Sequence, residues 1–193
     1  GRDPSLPPIL LGCHLDSWDL GTGAIDDAAG CAIITAAALK AQEGGAPLRT
    51  IRVLWAGSEE LGGFGGKAYA EKHSEPHALA MESDFGAARV WRVQFNLGDK
   101  ALTDRIAAAL SPMGIVRGAG LADGGTDVEP VIEKQKLAVV DLNQDGTHYF
   151  DLHHTPDDTL DKVDPAELAQ NVAAWTEVLK IVANEPGVIA AKP

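Results

Sequence analysis

The sequence predicts an α/β three-layer sandwich around a mostly parallel, mixed central sheet. Short apolar runs alternate along the chain with helix-periodic stretches, the pattern of strands buried on both faces and crossed over by helices. With 193 residues, 45% of them hydrophobic, the chain is long enough for one domain with a large core. No internal repeat, low-complexity tract or linker interrupts it, so residues 1–193 are expected to form a single domain.

The elements follow in order. Pro8–Cys13 (PILLGC) is a short apolar run bounded by turn residues and reads as a buried strand. Ala28–Gln42 is rich in Ala, Ile and Leu, closes on Gly44-Gly45, and reads as a helix. Ile51–Ala56 (IRVLWA) is the second strand, Gly66–His73 a helix, and His77–Met81 (HALAM) the third strand. Arg89–Asn96 alternates apolar and polar residues and suits a half-exposed strand. Lys100–Leu110 is an amphipathic helix, Val128–Glu133 a short one, and Leu137–Leu142 (LAVVDL) another buried strand. Asp164-Pro165 opens a long helix to Ala183, with proline in its first turn.

Composition narrows the function. A formal charge of −12 with no basic stripe argues against a nucleic-acid partner, which needs clustered Lys and Arg. No run reaches the roughly 18 apolar residues of a spanning helix. The start, GRDPSLPP, has neither the charged nor the apolar region of a signal peptide. Cys13 and Cys31 form no CxxC pair. Cys13 ends an apolar run and Cys31 lies in an alanine-rich helix, so both read as buried thiols.

The polar residues supply the chemistry. Ligands of open α/β sheets bind beyond the carboxyl ends of the strands. After the first strand come His14 and Asp16, then a Gly-rich loop to Asp26-Asp27. After the second come Glu59-Glu60, and after the third Glu82 and Asp84. A loop after LAVVDL reaches His153-His154 and Asp157-Asp158. Each group alone is weak, but their recurrence at four strand ends is specific. Two carboxylates 4 Å apart repel by about 4 kcal/mol at an effective dielectric near 20. A pocket gathering several of them needs cations or raised pKa values. Mixed imidazole and carboxylate ligands favour zinc over calcium or magnesium. Two imidazoles and three carboxylates exceed one tetrahedral zinc and suit two Zn2+ per chain sharing a bridging carboxylate.

The set HLDSWDLGTGAIDDAAG, GSEELGGFGG, MESD, GGTDV and YFDLHHTPDDTLDKVDP resembles metallopeptidase family twenty-eight, from about Pro8 to the end of the last helix. The resemblance implies a zinc-exopeptidase-like fold and a dizinc aminopeptidase, dipeptidase or carboxypeptidase. It implies His14 and Asp84 on the first zinc, Glu60 and His154 on the second, and Asp26 bridging them. Glu59 is then the general base. Asp16 stands behind His14 as a carboxylate that fixes its tautomer, and Asp158 holds His154. Asp27 lies where relatives vary and is left outside the metal ligands. His153 falls where some relatives carry an oxyanion-stabilising Tyr. Asp127 falls in the relatives' substrate pocket, with an N-cap of the following helix as its alternative. Glu82 reads either as functional or as an ordinary strand-end acid.

The implied reaction is hydrolysis of the terminal peptide bond of dipeptides or short peptides, in a secreted or periplasmic protein. Alternatives are a dimetal deacylase or phosphoesterase, or a catalytically silent structural relative. No Arg or Lys cluster accompanies the motifs to receive phosphate, and no ligand position is substituted. Relatives carry a helix and edge strands before the first metal histidine, so this chain is expected to be a fragment. A second copy or an upstream segment is then expected to pair at the exposed sheet edge. The glycines Gly62 and Gly63 imply an irregular strand end that lets neighbouring Glu59 and Glu60 both approach the metals.

Overall fold

A computed structural model describes residues 1–193 and contains six strands and six helices. The strands are β1 (Ile9–His14), β2 (Ile51–Ala56), β3 (Leu79–Glu82), β4 (Val90–Asn96), β5 (Val116–Arg117) and β6 (Ala138–Gln144). The helices are α1 (Ala29–Lys40), α2 (Phe64–Lys72), α3 (Lys100–Leu110), α4 (Glu129–Gln135), α5 (Tyr149–Leu152) and α6 (Pro165–Val182). The sheet order is β2-β1-β3-β6-β4-β5. β2, β1, β3 and β6 run parallel to one another. β4 is antiparallel to β6, and the short β5 runs parallel to β4.

Side-chain alternation along the strands divides the core in two. Ile9, Leu11, Leu79 and Met81 face α1, α3 and α6, in a cluster that includes Ile33, Ile106 and the fully buried Trp175. Leu10 and Ala80 face α2 and α4, against Ala70, Val128 and Val131. Helices thus cover both faces of the sheet, as the sequence predicts. Arg49 is buried and donates to the carbonyls of Pro7, Glu185 and Gly187. It thereby ties the approach to β1 to the segment after α6.

Most elements lie within a residue or two of their expected bounds. α2 begins at Phe64 rather than Gly66, because Gly63 adopts φ +63 and sets the turn just before it. β5 is not anticipated: two residues between Gly114 and Gly118 carry no periodic signal. The two thiols are a correction. Cys13 and Cys31 form a disulfide, because the end of β1 and the first turn of α1 pack together with Cα atoms 5.2 Å apart. No helix is long and apolar enough to cross a membrane. β2 forms one edge of the sheet and leaves Trp55 half exposed.

Candidate active site

The four parallel neighbours end at one edge of the sheet, and the residues just beyond them meet there. His14 closes β1 and is buried. Asp26 occupies a wide turn over Ala24–Ala28 whose backbone leaves helical geometry before α1 begins. Glu60 follows β2, Asp84 lies two residues past β3, and His154 follows α5 with φ +60.

Asp26 stands at the centre. Its Oδ1 lies 3.1 Å from His14 Nε2 and its Oδ2 lies 3.1 Å from His154 Nε2. His14 Nε2 is 3.4 Å from Asp84 Oδ1, and His154 Nε2 is 3.0 Å from Glu60 Oε2. The structure thus brings all five expected ligand side chains together, as two imidazole–carboxylate groups joined through one carboxylate. Zinc bonds of about 2.0–2.1 Å place neighbouring atoms of a tetrahedral shell about 3.3 Å apart, and these separations match that spacing.

Charge also fits a cation. His14 Nδ1 faces the backbone oxygen of Asp16 at 2.9 Å, so it carries the proton of the neutral ring. Nε2 would then turn a lone pair toward two carboxylates. Either a second proton or a metal must stand there. Burial opposes the charged ring, but the contacts with Asp26 and Asp84 prevail and raise the His14 pKa to about 12. Glu60 Oε1 and Asp84 Oδ1 are buried without a hydrogen-bond partner, as expected of donor atoms arranged for a metal. Burial and the Asp26 charge raise the Glu60 pKa, against the N–H of Trp18.

The surrounding carboxylates differ in part from expectation. The Asp16 backbone oxygen orients His14, while its carboxylate is 3.7 Å from Nδ1. That carboxylate accepts from the amides of Glu59 (3.0 Å) and Glu60 (3.2 Å). Asp158 accepts from the amides of Ile25 (2.6 Å) and Asp26 (3.1 Å) rather than holding His154. Asp127 caps no helix: both its oxygens are buried and unpartnered. Glu82 Oε2, from the neighbouring strand, takes the amides of Asp127 and Val128 at 2.9 Å each. Glu82 therefore holds the start of α4. Burial first, then the charge of Glu59 among others, raises Asp127 to about 7, with His14 opposing.

Glu59 and Glu60 lie in a tight turn, as Gly62 and Gly63 imply. Ser58 has φ +59, and the Glu59 carbonyl accepts from the amides of both glycines at 2.8 Å. The His153 ring stacks between His154 (4.3 Å) and Tyr149 (4.6 Å), with its Nδ1 buried and unpartnered.

Three neighbours escape the sequence reading. Trp18 donates its indole N–H to Glu60 Oε2 at 2.5 Å. Asp27 accepts from the amides of His14 and Gly30, locking the end of β1 to the start of α1. Burial, then the charges of Asp26 and Asp84, push the Tyr149 hydroxyl above its ordinary range. Trp18 lies inside the quoted HLDSWDLG motif, but nothing in that string says which carboxylate an indole would reach.

Comparison with known proteins fits this geometry. The model of peptidase family M28 matches residues 1–179. Carboxypeptidase Q of Bos taurus is 36% identical over 183 residues, covering 91% of this chain and 38% of that protein. The chain thus spans well under half the length of that relative. The crystal structure of a peptidase M28 precursor from Shewanella amazonensis is 44% identical, with a TM-score of 0.90 over 100% of this chain and 45% of that one. A zinc aminopeptidase from Bacillus subtilis shares the fold at a TM-score of 0.70 and 16% identity, over 93% of this chain and 47% of that one. A family match over nearly the whole length, with relatives above 30% identity, shows that this chain belongs to peptidase family M28.

Proposed function

We propose that this chain carries the catalytic centre of a dizinc exopeptidase that removes a terminal residue from dipeptides or short peptides. The observation behind this reading is the placement of Asp26, with one oxygen toward each of two imidazoles. His14, Asp26 and Asp84 would hold one zinc, and Asp26, Glu60 and His154 the other. Bound zinc supplies Lewis acidity, lowering the pKa of its water toward about 7 and polarising the scissile carbonyl.

The side chains divide the remaining work. Glu59, held by its amide on Asp16, takes the proton of the attacking water and returns it to the leaving amine. Its partner in the turn, Glu60, is committed to the metal. His153, stacked on His154, would be the donor to the oxyanion. Asp127 is fully buried, near enough to Glu59 for their charges to interact. The alternative of phosphate-ester hydrolysis is disfavoured because no Lys or Arg joins the five-residue cluster. The disulfide supports an oxidising compartment, secreted or periplasmic.

The test combines metal stoichiometry with a substrate panel. Two zinc ions per chain, with cleavage of free dipeptides that stops on chelation and returns with zinc, is the expected result. Full zinc loading with hydrolysis of phosphate esters and no peptide would overturn it.

A further inference from the structure

We infer that Trp18 is a positioning residue for the Glu60–His154 half of the metal centre, so that a metal held there depends on Trp18 and one held by His14 and Asp84 does not. The inference rests on the dizinc reading above. Trp18 lies on the loop between β1 and the Ala24–Ala28 turn and remains 47% exposed. An indole N–H can only donate. It donates to Glu60 Oε2, the oxygen that also lies 3.0 Å from His154 Nε2. The Trp18 ring sits 5.4 Å from the His154 ring at an angle of 44°. One side chain therefore touches both residues of this half.

The two halves are built differently. His14 is 1% exposed, is oriented by the Asp16 carbonyl at 2.9 Å, and has its amide on Asp27. His154 is 43% exposed, and no hydrogen bond holds its Nδ1. Beyond the contacts of its Nε2 with Asp26 and Glu60, its orientation relies on ring contacts with Trp18 and His153. Glu60 shows the same dependence: Trp18 occupies Oε2 and leaves Oε1 buried and without a partner. An outer donor that orients a ligating carboxylate affects metal affinity by about ten- to a hundredfold. The unequal support predicts unequal filling, with the His14–Asp84 half taking metal first.

The test is titration of the metal-free protein with zinc by calorimetry, following tryptophan emission in parallel, for wild type, Trp18→Phe and Trp91→Phe. Trp18→Phe keeps a ring beside His154 and removes the N–H, whereas Trp91 lies on β4 and serves as control. In wild type and Trp91→Phe, two ions are expected to bind, and tryptophan emission should change with the weaker one. In Trp18→Phe the tighter ion should bind as before. The weaker should lose about ten- to a hundredfold in affinity, and its emission change should vanish. Two ions bound by Trp18→Phe with wild-type affinities would overturn the inference and leave the dizinc reading intact. Equal weakening of both ions, with a lower melting temperature of the metal-free protein, would also overturn it, by showing a general structural role. Fewer than two ions in wild type would overturn the dizinc reading and this inference with it.

Discussion

The carboxylate of Asp158 accepts a hydrogen bond from the amide of Asp26, 132 positions earlier in the chain. The same carboxylate takes the amide of Ile25. A late loop therefore fixes the backbone of the residue on which the centre turns. Asp158→Ala would leave two buried donors unsatisfied and should lower stability by about 3 kcal/mol. Asp158→Asn keeps one acceptor and should lose roughly half as much. Urea unfolding of the metal-free proteins measures both, and equal midpoints for Ala and wild type would remove Asp158 from this role.

Glu59 and Glu60 should separate cleanly on mutation. Glu59→Gln is expected to keep bound zinc while kcat falls by about a hundredfold or more. Glu60→Gln should instead lower zinc content. Metal analysis beside steady-state kinetics distinguishes them, and matching losses in both variants would contradict the assigned division.

Zinc uptake should release protons. With a pKa near 12, His14 of the metal-free protein carries two ring protons at pH 8. A metal at Nε2 displaces one of them. Calorimetry in two buffers of different ionisation enthalpy should therefore show about one proton leaving from His14. The raised pKa also has a stability sign: its contribution is full below about 6.5, the reference pKa, and declines as pH rises toward 12. Buffer-independent heats would show that His14 is already neutral.

Asp127 shifts stability in the same direction with pH, in a lower window. Its pKa stands near 7 in the folded protein against a reference of 3.8. The unfolded chain therefore ionises first, and the metal-free protein should lose stability between about pH 4 and 7. Asp127→Asn abolishes this ionisation with little change of shape. It should flatten the profile and stabilise the metal-free protein above pH 7 by on the order of 2 kcal/mol. Thermal melts at pH 4.5 and 8 provide the comparison, and a destabilised variant at pH 8 would refute the account.

Removing the disulfide by Cys13→Ser with Cys31→Ser should cost about 3 kcal/mol, the scale for a bridge across 18 positions. Because the bridge lies between the segments that deliver His14 and Asp26, zinc affinity should fall as well. Unfolding midpoint and zinc titration read the two effects separately. An unchanged midpoint would mean that the packing of α1 on β1 suffices without the bridge.

Much of this architecture is legible in the sequence, because buried parallel strands write themselves as apolar runs. PILLGC, IRVLWA and LAVVDL all lie on strands. The clustering of acids and histidines is legible because they follow such runs. The individual ligand assignments come from the family resemblance, and the structure brings those five side chains together. What escapes is which atom of a residue reaches which partner. Asp16 was expected to act on His14 through its carboxylate, yet a tight loop offers its carbonyl instead and sends the carboxylate to Glu59 and Glu60. The spacing from His154 to Asp158 points to a pair, but Asp158 lies against the Ala24–Ala28 turn and takes the amides of Ile25 and Asp26. The N-cap reading of Asp127 fails to a competitor 45 residues away, Glu82, which local pattern cannot reveal. The bridge between Cys13 and Cys31 likewise depends on how α1 docks against β1.

The parallel strands have one further consequence, for handling the protein. All the candidate chemistry gathers past their carboxyl ends, while the connection from α1 to β2 enters the sheet from the opposite side. In that connection Gly44 and Gly45 have no neighbouring atom within 4 Å of an added side chain, and their residues are exposed. A dye, affinity tag or surface tether inserted between them would therefore point away from the candidate site. The protein can be immobilised through this connection with the candidate site facing solution.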